Sequence, residues 1–267
     1  MSKTRLDVLL AQRGLYESRA RAAAAVLAGD VLLLPGRERA AKPGQMVGAD
    51  VELELAAVPQ FVSRGGVKLA NALDGLGLDV DGALALDVGA STGGFSDCLL
   101  QRGARHVVAL DVAYGELSWK LREDPRVTVI ERTNARALAA GQLPYAPTLI
   151  VIDVSFISLT KVLPAVLGCA AARFDCLAMI KPQFEVGRER LGKGGVVRDQ
   201  EDRREVLLRL GQFAQQQPGV AVCGYVPSGL PGPKGNRETF VWLAEAGRAG
   251  ALADASALAD AVAAVAA

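Results

Sequence analysis

Residues 84–95 read Leu-Ala-Leu-Asp-Val-Gly-Ala-Ser-Thr-Gly-Gly-Phe. The first five, apolar but for Asp87, have the length of a buried strand, and the chain then turns into a helix-forming stretch. Glycine is wanted at such a turn so that backbone can approach a bulky ligand and bend sharply into the helix. In open α/β sheets the ligand crevice lies beyond the carboxyl ends of the strands. The spacing over Gly89, Gly93 and Gly94 is G-x-x-x-G-G, not the G-x-G-x-x-G of dinucleotide folds, which argues against a nicotinamide cofactor.

Outward from this stretch, apolar runs alternate with helical ones. Strands are expected at 84–88, 107–111, 127–130, 149–153 and 176–181, and later ones near 220–225 and 239–243 would finish the sheet. The alternation predicts an α/β fold, a parallel sheet with helices on both faces. The boundaries expected are a small module at 1–58, a linker and lead-in at 59–82, a main domain at 83–248 and an Ala-rich tail at 249–267, helical or frayed. Asp111 ends the second strand, where an acid can bind ribose hydroxyls. Asn134 follows the third, placed to meet an adenine edge. The bland alternative is that Asp87 and Asp111 only cap strand ends.

These features, in this order, resemble a class I (Rossmann-like) methyltransferase. The resemblance implies S-adenosyl-L-methionine held by Asp87, Gly89, Ser91, Thr92, Gly93, Gly94, Phe95, Asp111 and Asn134. A competing motif, Gly187-Arg188-Glu189-Arg190-Leu191-Gly192-Lys193, fits the G-x-x-x-x-G-K of a phosphate loop. It is followed by Gly194 where a Ser or Thr is required, so NTPase activity is not expected. Residues 186–197 read instead as a mobile loop near the site, a candidate substrate lid.

Asp153 and Lys181 close the fourth and fifth apolar runs, at one rim of the sheet. On neighbouring strands about 5 Å apart the two side chains can touch. With Lys68 and Glu238 they match the Lys-Asp-Lys-Glu tetrad of ribose 2′-O-methyltransferases related to FtsJ. A ribose hydroxyl is a poor nucleophile at neutral pH, so a base must take its proton as the methyl transfers in line. Lys181 is the base expected here, with burial and the adjacent charge of Lys68 favouring the free amine. Asp153 would fix its position, and Glu238 would orient Lys68 or the ribose.

The first 57 or so residues form a unit too small to be an enzyme alone. Leu6, Leu9 and Leu10 make a helical stripe ended by Gly14; Ser18 caps a helix over 19–28, stopped by Gly29; residues 51–55 alternate as a half-buried strand. Arg5-Leu6-Asp7, Arg13-Gly14, Ser18-Arg19, Ala28-Gly29-Asp30-Val31 and Lys42-Pro43-Gly44 resemble an α+β S4 RNA-binding domain. The resemblance places Arg5, Arg19, Arg21 and Lys42 near RNA phosphate or sugar; an ordinary solvated basic face is the alternative. With Ser63-Arg64-Gly65-Gly66, whose Arg64 joins the RNA-binding candidates, the whole chain resembles the TlyA-type family. Its members are named as hemolysins or as cytidine 2′-O-methyltransferases of ribosomal RNA. The resemblance implies ribosomal RNA (16S and/or 23S) or ribosomal subunits as partners.

Composition neither adds to this nor opposes it. Thirty Lys and Arg against 29 Asp and Glu leave a net charge of +1, so any basic footprint is local. The four cysteines show no CxxC pair, and no metal site is expected. The single histidine, His106, opens an apolar run and reads as structural. No leader or membrane-spanning run is visible, which gives the expectation of a cytoplasmic protein without a membrane partner. Two other functions stay open on sequence: a non-catalytic RNA- or ribosome-binding protein, and a membrane-active hemolysin.

Overall fold

The computed structural model describes residues 3–16, 18–55, 60–232 and 234–266. The chain divides into two compact units, Met1–Pro59 and Gln60–Ala267.

In the first unit β1 (Lys3–Arg5) leads directly into α1 (Leu6–Gln12), and α2 (Arg19–Ala28) follows. Ser18 caps α2 by accepting from the Arg21 N–H, and Gly29, at φ +82°, ends it, as the sequence predicts. The strands β2 (Val31–Leu33), β3 (Glu38–Arg39), β4 (Met46–Gly48) and β5 (Leu53–Leu55) form two small sheets: β1 with β4, and β3-β2-β5. Leu6, Leu10, Val26 and Val31 fill the core between helices and strands. The strand expected from 51 is shorter because the Val51 N–H is spent on a turn, donating to the Gly48 carbonyl.

The second unit opens with a helix where a linker and lead-in were expected. Ser63 accepts from the Gly65 N–H and starts α3 (Arg64–Leu76), and Gly77 ends it at φ +63°. Leu69, Ala72 and Leu73 are buried along one face. The remaining elements are β6 (Leu84–Val88), α4 (Gly94–Gln101), β7 (His106–Leu110), α5 (Trp119–Arg122), β8 (Val127–Ile130), β9 (Leu149–Ile152), α6 (Leu163–Leu167), β10 (Asp175–Ile180), α7 (Gln200–Gln215), β11 (Val220–Pro227), β12 (Thr239–Glu245) and α8 (Ala255–Val265). They build one seven-stranded sheet in the order β11-β12-β10-β9-β6-β7-β8.

Five of these strands pair in parallel, while β12 runs antiparallel to both β10 and β11, so that six of the seven share one direction. The expected parallel sheet is therefore mixed. Antiparallel neighbours need no crossover helix, and the segment between Pro227 and Thr239 joins β11 to β12 without one. Each strand sends alternate residues to opposite faces. Leu86, Val88, Ile150 and Ile152 meet Leu163, Leu207 and Leu210 from α6 and α7 on one face. Ala85, Val107 and Val151 meet Leu69, Leu73 and Leu99 from α3 and α4 on the other. Leu258 and Val262 of α8 are fully buried in the first of these cores, so the alanine-rich end of the chain is an integral helix.

Candidate active site

Asp111, Asp153 and Lys181 each stand one residue past the last paired residue of their strands, at the carboxyl rim beside the loop that follows β6. In that loop Gly89 has φ +85°, and a Cβ on it would stand 2.7 Å from the Asp153 carbonyl oxygen. At Gly94 a Cβ would come within 2.9 Å of the Gly66 N, so this glycine lets α4 and α3 meet closely. Gly93 faces away from the rim, against Leu117 and Leu121.

Two cavities adjoin here. One, about 480 Å³, runs from Gly89 and Ser91 past Asp111 and Asn134 to Phe156. The other, about 500 Å³, is bounded by Arg64, Lys68, Thr92, Phe95 and Lys181. They share Gly89, Ser91, Asp153 and Ser155.

In the first cavity Asp111 accepts from the Ser91 N–H at 2.7 Å and from the Ala113 N–H at 2.8 Å, one bond to each oxygen. A carboxylate offers about four acceptor sites, so two remain for a ligand. Asn134 Oδ1 accepts from the Arg136 N–H at 3.1 Å, which leaves the amide N–H groups for other use. Glu116, not anticipated from sequence, accepts from the Ser91 hydroxyl at 3.0 Å and lines the same space. Asp87 lies elsewhere than expected. It is wholly buried beneath the loop, where its Oδ2 accepts from the Ser96 N–H and hydroxyl and its Oδ1 has no partner among the described residues. Burial pushes its carboxyl up to about 7; the Ser96 bonds oppose that, and the charges of Asp153 and Asp111 add to it. Asp87 holds the loop from below and does not line either cavity.

In the second cavity the four tetrad candidates form two pairs. Lys181 Nζ lies 2.6 Å from Asp153 Oδ1 and donates to the Ser155 hydroxyl at 2.9 Å. Lys68 is bonded to Glu238, both buried, and Glu238 sits behind it without lining the cavity. The charge of Lys68 is thus matched by its own carboxylate, not left to act on Lys181 alone. Arg64 donates to the Pro231 carbonyl at 2.9 Å across this cavity.

Sequence reasoning missed the residues that hold these loops. Glu185, buried, accepts from the Ser158 hydroxyl at 2.7 Å and the Leu159 N–H at 2.8 Å, tying the segment after β10 to that after β9. Burial raises its carboxyl despite those bonds. Phe156 is 90% exposed at φ +63° and lies beside Phe184, ring centroids 5.0 Å apart. His106 bonds Tyr145 at 3.1 Å at the start of β7, remote from the cavities. Among the described residues no group of three or more His, Cys, Asp or Glu could hold a metal ion, and no helix is long and apolar enough to cross a membrane.

In the first unit, buried Asp7 accepts from Arg5 at 2.8 and 3.0 Å and from Arg19 at 3.0 Å, gathering two of the RNA-binding candidates. These guanidiniums, Arg5 foremost, hold the Asp7 carboxyl far below the usual carboxylate range. The turn carrying Lys42 is adjacent: the Asp7 N–H donates to the Pro43 carbonyl, and a Cβ at Gly44 would touch the Arg5 guanidinium at 3.2 Å. Arg21 instead lines an open cavity of about 630 Å³ with Tyr16 and Asp30.

A model of the FtsJ-like methyltransferases matches residues 61–245. The chain belongs to the FtsJ-like methyltransferase family. Its sheet is accordingly the Rossmann-like sheet of S-adenosylmethionine methyltransferases. It is 46% identical over 245 residues to the 16S/23S rRNA (cytidine-2′-O)-methyltransferase TlyA of Mycobacterium tuberculosis, covering 90% of each chain. It is 40% identical over 235 residues to Hemolysin A of Brachyspira hyodysenteriae, covering 88% of this chain and 97% of that one. Among solved structures, a candidate hemolysin of Streptococcus thermophilus superposes with a TM-score of 0.71 at 37% identity, covering 98% of this chain and 95% of that one.

Proposed function

We propose that this chain methylates the 2′-hydroxyl of a ribose, that of a cytidine in ribosomal RNA, with S-adenosylmethionine as donor. The observation that carries the reading is the junction of the two cavities, where Lys181 stands held by Asp153 and Ser155. The residues present fit the donor. Gly89 leaves room where a Cβ would meet backbone, Asp111 keeps acceptor sites for a vicinal diol, and Asn134 keeps amide donors for an adenine nitrogen. A volume of about 480 Å³ is ordinary for a cofactor site. When bound, S-adenosylmethionine supplies a methyl group on a positive sulfur, which departs as a neutral thioether.

The chain's own residues do the rest. Lys181, as the free amine, accepts the ribose proton while the oxygen–methyl bond forms. Asp153 and Ser155 fix its nitrogen and receive the charge it acquires. Lys68, seated on Glu238, offers a cation where the hydroxyl oxygen becomes negative. General-base help is typically worth about 10²–10⁴-fold, and alignment of hydroxyl with methyl roughly 7–11 kcal/mol, so positioning outweighs proton removal. In the first unit the Arg5–Asp7–Arg19 cluster and Lys42 bind RNA phosphate, which gives affinity and register without base readout. Arg64 meets the RNA at the second cavity.

The M. tuberculosis relative's name specifies this same reaction, which supports the reading. The test is transfer of tritiated methyl from labelled donor to ribosomal RNA, followed by alkaline digestion. A 2′-O-methyl removes the nucleophile for cleavage, so the label is expected in alkali-resistant dinucleotides. Label in free mononucleotides would place the methyl on a base and overturn the reading.

A further inference from the structure

One side chain joins the turn that carries Glu238 to a second loop. Asn236 is only 3% exposed although its neighbours Gly235 and Arg237 are exposed. Its Oδ1 accepts from the Val197 N–H at 2.9 Å, and its Nδ2 donates to the Gly195 carbonyl at 3.0 Å. A primary amide carries the same donor and acceptor as a peptide group, so Asn236 serves as an added rung of backbone ladder between the two segments. Both ends of that rung are satisfied, and removing it leaves a buried N–H and a C=O unpaired.

Each partner segment is closed on itself. On one side the Gly192 N–H donates to Val196 and the Gly195 N–H to Gly192, forming a tight turn with exposed Lys193; exposed Arg198 follows buried Val197. On the other, the Gly232 N–H donates to the Asn236 carbonyl at 2.8 Å, and a Cβ on Gly232 would stand 2.5 Å from Glu238 Oε1. The Ser228 N–H donates to the Glu238 carbonyl at 2.9 Å. Asn236 and Glu238 therefore share one hydrogen-bonded segment, and the Glu238 carboxylate is closely packed against Gly232.

We propose that Asn236 is a positioning residue for methyl transfer: it latches the 192–196 turn onto the turn bearing Glu238, so that the Lys68–Glu238 pair is set only when the cationic turn is docked. RNA phosphate bound at Lys193 and Arg198 favours the docked turn, and docking in turn aligns Lys68 with the target ribose. Binding and alignment are coupled in both directions. The inference rests on the ribose-methylation reading and adds to it the route by which the substrate's own backbone completes the site.

The test uses the full chain and ribosomal RNA. Asn236→Ala is expected to slow single-turnover transfer roughly 10-fold and to raise the half-saturating RNA concentration several-fold. Binding of S-adenosylhomocysteine stays within about twofold, because neither turn lines the first cavity; a general loss of structure would weaken it too. In a Glu238→Gln background the same change costs no more than about twofold in rate, because both act through one pair. A rate for Asn236→Ala within about twofold of wild type, or losses that multiply in the double variant, would overturn the proposal. Should the thermal transition show that Asn236→Ala does not fold, Asn236→Asp carries the test. It keeps the acceptor for Val197 and is expected to fall between wild type and alanine; full wild-type rate overturns the latch. Wild-type chain that leaves ribose unmethylated sinks the underlying reading, whereas an active wild type with a normal Asn236→Ala sinks the latch alone.

Discussion

Lys181–Asp153 and Lys68–Glu238 are both lysine–carboxylate pairs at one site, yet they are built differently. The first comes from neighbouring strands: β9 and β10 are parallel with Ile152 opposite Ala178, and Asp153 and Lys181 each follow the last residue of their own strand. The second bridges 170 residues of sequence, from a helix before the sheet to a turn before the last strand along the chain. Their exposure also differs. The Asp153 side chain is 24% accessible and that of Glu238 only 1%. A pair open to a cavity can exchange protons with a substrate, while a buried pair fixes geometry and must stay matched. The same chemical pairing thus supplies a base in one place and a fixed cation in the other.

The largest effect expected tests the open pair. Lys181→Ala should lower single-turnover methyl transfer by about 10²–10⁴-fold while donor binding and thermal stability stay near wild type. Near-normal turnover would remove Lys181 from the role of base. The buried pair should break in the opposite way. Glu238→Ala strands Lys68 without a partner and should cost about 3–5 kcal/mol of stability, read by denaturant unfolding. Adding Lys68→Met to Glu238→Leu should restore most of that stability and none of the activity. Equal stability losses at Lys181 and Glu238 would erase the distinction between the pairs.

A smaller effect sharpens it further, at the buried acid beneath the loop. The Asp87 carboxyl titrates near 7 in the fold against 3.8 ordinarily, so the fold favours its protonated form. The stability this contributes is complete below pH about 4 and is lost as pH rises toward and through 7. Asp87→Asn removes that loss. The variant's melting temperature relative to wild type should climb by several degrees between pH 5 and pH 8, measured calorimetrically. A difference independent of pH would show that Asp87 ionises freely in the fold.

The open pair was legible in the sequence because apolar runs ending in Asp and Lys report strand ends directly. The β6 strand and the loop after it were legible for the same reason, helped by glycines whose spacing has a steric cause. The buried pair was readable only through family resemblance, since nothing local in Lys68 or Glu238 marks a contact across 170 residues. Helix α3 was hidden by Gly65 and Gly66, which lower helix propensity; Gly66 is needed there because a Cβ would stand 2.3 Å from Phe61. Ser63 was the signal that could have found it. The direction of β12 leaves no trace in an apolar pattern, because parallel and antiparallel strands bury alike. Asp87 and Asp111 look equivalent as acids in or after strands, and only packing separates the buried support from the cavity wall.

The most direct test of the central claim is nucleoside mass spectrometry of ribosomal RNA treated with donor and either the wild-type chain or Lys181→Ala. A 2′-O-methylcytidine is expected with the wild-type chain, and its loss, beyond about 100-fold, with the variant. A methyl group on a base, or equal modification by both proteins, would contradict it.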